Sequence, residues 1–138
     1  MNRILIVVLL VAHAGCAWGA EKLDRVGNKK LPVGAILMCD EHVVGEASGK
    51  PVHIDWQAFG FDEGTDKVVQ FYQSQFGLSP VKGSDAQGYT WTFKGEYNEL
   101  QYAVQSPSAT GPWSGCSIQP TAFQAVILIS NAIWIKGR

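Results

Sequence analysis

The chain has 138 residues, with 11 Lys and Arg against 12 Asp and Glu and a formal net charge of −1. Charges of both signs are interspersed and no block of Lys or Arg occurs, so the basic footprint of a nucleic-acid binder is missing and nucleic acid is excluded as an expected partner. The length suits one domain built on a single core.

Residues 1–19 read as a signal peptide. Arg3 precedes an uninterrupted apolar run over residues 4–12, and small residues follow, which is the charged, apolar, small-residue order of an export signal. Ala17 and Gly19 occupy the two positions a signal peptidase inspects, so cleavage is expected after Gly19. The run is too short to span a bilayer. Ala14-Gly15-Cys16 gives a rival reading as a lipid-attachment box, with a lipid anchor on Cys16, although His13 stands where such boxes resemble one another in carrying an aliphatic residue. The expected location is secreted or periplasmic. Loss of the signal leaves Cys39 and Cys116, and an even pair in an oxidising compartment is expected to form a disulfide. Closing so long a loop stabilises a fold by roughly 4 kcal/mol, less any strain.

Residues 20–30 are polar and read as a mobile leader, followed by a single domain over residues 31–138. Period-two alternation over residues 35–44 and 51–59, separated by a turn-prone stretch at 46–50, predicts a β-hairpin. Thr65 is placed to cap a helix in which Val68, Val69, Tyr72 and Phe76 share one stripe, and Gly77 to end it. Residues 88–94 and 99–106 predict a second hairpin. Pairing Phe93 with Leu100 there also sets Trp91 opposite Tyr102, Tyr89 opposite Val104 and Lys94 opposite Glu99, with every apolar side chain on one face. Residues 122–135 are apolar on both alternations around Val126 to Ile129, as a central strand buried on both sides would be. Ser130 and Asn131 interrupt them, so no transmembrane span is expected. The fold class is α+β: an antiparallel sheet of about five or six strands, one amphipathic helix packed on one face, and one disulfide.

In the first hairpin, pairing Val43 with Val52 sets His42 opposite His53 and Asp40 opposite Asp55. Imidazole and carboxylate are ligands that zinc and similar divalent ions accept, so these four residues form a candidate metal site. The plainer reading makes them the solvated face of a hairpin whose other face, carrying Leu37, Cys39, Val43, Val52, Ile54 and Trp56, enters the core. Alternation assigns Trp56 and Trp91 to the core. Trp113, in the Gly- and Pro-rich loop at 106–120, and Tyr97, in a turn, remain as candidate contacts for a protein, glycan or small-molecule ligand. There is no serine elbow, paired-histidine helix motif or glycine-rich phosphate loop, and Asp62, Glu63 and Asp66 sit where a helix start favours negative charge.

The run from Lys67 to Leu78, with its Phe71-Tyr72 and Gly77-Leu78 pairs, resembles the helix and exit turn of the vicinal-oxygen-chelate family, the glyoxalase and bleomycin-resistance relatives. The resemblance covers about residues 51–106, one half-module. It implies an order of strand, helix and three strands, with His53 and Glu99, the latter before Leu100, as metal ligands completed by dimerisation. The sequence therefore points first to a non-enzymatic binding or interaction protein with no cofactor, and second to a divalent-metal, glyoxalase-like protein acting as a dimer.

Overall fold

A computed structural model describes residues 21–83, 88–110 and 113–135. The expected signal peptide, its expected cleavage point and Cys16 lie outside the described residues. Six strands form one antiparallel sheet: β1 (Ile36–Ala47), β2 (Lys50–Phe61), β3 (Val81–Lys82), β4 (Gly88–Lys94), β5 (Asn98–Gln105) and β6 (Ala125–Trp134). Helix α1 (Thr65–Phe76) joins β2 to β3, and a short turn, α2 (Pro107–Thr110), follows β5. The strand order is β1-β2-β6-β5-β4-β3, so β6 is central as predicted, and its residues 125–127 and 129 are fully buried.

The second hairpin has the predicted register, Phe93 with Leu100 and Trp91 with Tyr102. The first does not. His42 pairs with Asp55 and Val43 with Ile54, two positions from the predicted pairing. The cause is the turn, where Ser48 (φ 53°) and Gly49 (φ 76°) make a two-residue connection with both φ positive, the type I′ geometry that matches strand twist. A slip of two preserves the faces.

A bulge at Met38 interrupts β1, between the pairs Leu37 with Phe59 and Cys39 with Ala58. It turns both Met38 and Cys39 into one buried cluster, as an extra residue reverses the alternation locally. Leu37 is thereby moved out of the predicted core and is 45% exposed; Val43, also predicted inside, is 43% exposed.

One face of the sheet carries α1. Tyr72 and Phe76 lie against Trp91 and Tyr102 with ring centroids 5.0–6.0 Å apart, the offset and edge geometries aromatic pairs prefer. The Trp91 indole donates to the Leu78 carbonyl at 2.9 Å, fixing the helix exit. Gly64 is the N-cap and Thr65 the first helical residue, so Thr65 does not cap; Gly77 ends the helix in the left-handed region as expected. The opposite face is covered by Trp113, Cys116, Ile118 and Phe123 over Met38, Ala58, Val126 and Leu128. Cys39 and Cys116 are disulfide-bonded, with Cα atoms 4.8 Å apart. Among the described residues no helix is long and apolar enough to cross a membrane.

Within residues 20–30, expected to be a mobile leader, the turn around Asp24 and Val26 instead packs against the sheet. Asp24 is 1% exposed and accepts from the backbone N–H groups of Gly27, Asn28 and Lys29 at 2.5–3.1 Å and from the Tyr102 hydroxyl at 2.9 Å. Four donors satisfy a carboxylate that would otherwise be costly to bury. Gln75 of α1 exchanges two hydrogen bonds with the Lys30 backbone, joining this turn to the helix.

Candidate functional site

Asp40, His42, His53 and Asp55 do share a face, and it is the face that carries α1 farther along the sheet. The observed pairs are Asp40 with Gln57, His42 with Asp55 and Val44 with His53. His42 Nδ1 is 2.6 Å from Asp55 Oδ1, and the two imidazole centroids are 5.4 Å apart. A residue that sequence reasoning did not single out, Arg25, enters from the packed N-terminal turn. Its guanidinium lies 2.6 Å from Asp40 and 3.7 Å from Asp55, while Gln57 accepts from the Arg25 backbone N–H at 2.8 Å and donates to Asp40 at 2.9 Å.

The hydrogen bond from Arg25 holds the Asp40 carboxyl below the usual carboxylate range, against a smaller opposing effect of burial, and the same contact raises the guanidinium. Arg25 supplies the cation that two neighbouring carboxylates attract. Both carboxylates are engaged by a fixed positive charge, and among the described residues no group of three or more His, Cys, Asp or Glu is arranged to hold a metal ion.

Glu99 is on the other face. His53 pairs with Ile133 and Glu99 with Ala132, neighbours of opposite alternation, so the two residues implied by the chelate resemblance do not converge within one chain. Glu99 instead lies 3.7 Å from Lys94, the predicted cross-strand pair, and accepts from Gln101 at 2.7 Å.

The aromatic candidates also separate. Trp113 packs edge-on to Trp56 at 6.5 Å, and its backbone is clamped in both directions by the Gln119 side chain at 2.9 Å. It is half-buried cover for the sheet. Tyr97 is 40% exposed and borders a cleft of about 890 Å³ between the β1–β2 turn, Glu96, Trp134 and Ile135. The Trp134 N–H donates to the Tyr97 carbonyl at 2.9 Å and the Ile135 N–H to the Pro51 carbonyl at 3.4 Å, which brings three segments to one end of the sheet. Ile133 (37%) and Ile135 (50%) are exposed there. Trp134 and Ile135 were legible only as the end of an apolar run; that they flank Tyr97 follows from β6 pairing with β5, a long-range contact.

No known protein family, curated protein or solved structure matches the chain.

Proposed function

We propose that the protein is an exported, non-enzymatic binding or interaction protein that takes its partner in the cleft beside Tyr97. The observation that carries this reading is the collection of Tyr97, Trp134 and Ile135 at one end of the sheet, around a concavity of the size that small ligands occupy. Aromatic rings flanked by Lys50 and Glu96 suit a glycan or an amphipathic peptide segment, since each offers an apolar face and polar edges. The disulfide agrees with an oxidising compartment, and the leader with export.

The test selects ligands for the exported protein from a glycan array and a phage-displayed peptide library, then repeats binding with Tyr97→Ala combined with Ile135→Ser. Ligands that lose at least about tenfold in affinity on the double variant, equivalent to about 1.4 kcal/mol, support the cleft. Ligands indifferent to it would place the contact elsewhere.

The second reading, a glyoxalase-like metal protein, has in its favour the order β2, α1 and then β3, β4 and β5, the strand, helix and three strands that the resemblance implies. Native mass spectrometry in the presence of zinc, nickel or manganese tests it. Stoichiometric metal that His53→Ala removes would favour this reading over the first.

A further inference from the structure

We propose that the free edge of β1 pairs, antiparallel and in register, with β1 of a second copy of this chain, with Val44 on the two-fold axis. This goes beyond the binding reading and does not depend on it.

The two edges of the sheet are unlike. At one edge β3 has two residues and offers little backbone to a newcomer. At the other, β1 has twelve and is paired on one side, to β2. Its beginning is shielded, because the Ser117 N–H and hydroxyl both reach the Met38 carbonyl at 3.2 Å and Cys39 carries the disulfide. From Asp40 onward, no partner strand is present on the outer side among the described residues. This stretch contains no proline and no further bulge, and Val44 is 65% exposed. Long, flat, partly apolar edges of this kind are templates for another strand.

The sequence of the stretch selects the occupant. With Val44 on the axis, His42 meets Glu46 of the second copy twice over, Val43 meets Gly45, and Val44 meets itself. The ring of His42 uses Nδ1 on Asp55, so in its doubly protonated form it has an Nε2–H left to donate to Glu46 of the second copy. Gly45 has open space where a Cβ would stand, room for the Val43 methyl groups. Moving the axis by one residue destroys this match: centring on Val43 sets Asp40 against Glu46, and centring on Gly45 sets Val44 against Glu46. Like charges directly opposite are destabilising, and opposite charges stabilising. The shielded segment agrees independently. With Val44 central, Asp40 faces Ser48 at the turn of the second copy, so Met38 and Cys39 fall beyond the paired region and the loop over them is not displaced.

Analytical ultracentrifugation of the exported, disulfide-intact protein at high micromolar concentration is the test, with Val44→Lys and Val44→Cys as variants. The expected result is a dimer that Val44→Lys weakens by at least about tenfold with an unchanged circular dichroism spectrum. Val44→Cys should cross-link symmetrically on air oxidation while Cys39–Cys116 stays intact on peptide mapping, and Val43→Cys, off the axis, should not. A monomeric wild-type protein overturns the proposal. So does a dimer that tolerates Val44→Lys, or one in which Val43→Cys cross-links as readily as Val44→Cys.

Discussion

On one face of the sheet a regular helix supplies the cover, and on the other an irregular loop does, and the two are held down by different physics. The helix satisfies its own backbone hydrogen bonds, so it needs only an apolar stripe. That stripe interlocks with Trp91, Tyr102 and Phe93 through ring contacts of 5.0–6.0 Å. The loop at 113–123 has no ladder of its own. It is fixed by Gln119 on the Trp113 backbone, by Phe123 resting on Gly60, where any Cβ would collide with the ring, and by the covalent tie to β1. Irregular cover needs side-chain clamps and a staple in place of the hydrogen-bond ladder that regular cover brings with it.

Four perturbations break or sharpen that contrast. The largest effect is expected from Trp91→Ala, which removes a 3% exposed side chain from under the helix. It should cost about 3–5 kcal/mol by urea denaturation and loosen the whole domain. Replacing Cys39 and Cys116 together by Ser should cost about 2–4 kcal/mol. Hydrogen exchange should accelerate mainly over residues 113–118, leaving α1 protected relative to the global transition; equal acceleration in α1 would show that the two covers are not separable.

Tyr72→Phe is the third. The Tyr72 hydroxyl is buried without a hydrogen-bond partner among the described residues, and burial, with the nearby charge of Asp24, pushes its ionisation upward. Removing an oxygen that makes no bond should leave stability within about 1 kcal/mol, on the stabilising side, read as a small rise in melting temperature. The smallest effect belongs to Arg25→Met. Asp40 has a folded-state pKa below its unfolded value. Arg25 therefore contributes stability that is present above the unfolded carboxylate pKa and is lost as pH falls through the lower folded value. Both side chains are more than a third exposed or close to it, so the difference at neutral pH should be under about 1 kcal/mol and vanish in acid. Paired thermal melts at neutral and strongly acidic pH check the sign.

What the sequence disclosed, and what it hid, follows the range of the forces involved. The β4–β5 register was legible because a short turn brackets three apolar pairs, each with an aromatic ring, that one register brings together on a single face. In β1 and β2, Val43 can face Val52 or Ile54 with the same apolar match, and the choice was made by Ser48 and Gly49 in the turn. The disulfide needed only cysteine parity. Asp24 and Arg25 were misread because polar side chains signal solvent by default, whereas Asp24 finds its donors in the backbone three to five residues on and in Tyr102, far away in sequence. The metal candidates were correctly placed on one face, but the cation between them comes from a segment that composition assigned to solvent. Tyr97 could be singled out as a turn aromatic, while its neighbours in the cleft depend on which strand lies beside which.

The position of β6 governs when the molecule can exist at all. It is the last strand among the described residues and joins β2 to β5 in the middle of the sheet. Before residues 125–134 have been synthesised, the β1–β2 hairpin and the β3–β4–β5 meander have no strand to join them. Cys116 also precedes the strand that would carry it across to Cys39. Synthesis from the amino end thus completes the sheet only when β6 arrives to bridge its two halves.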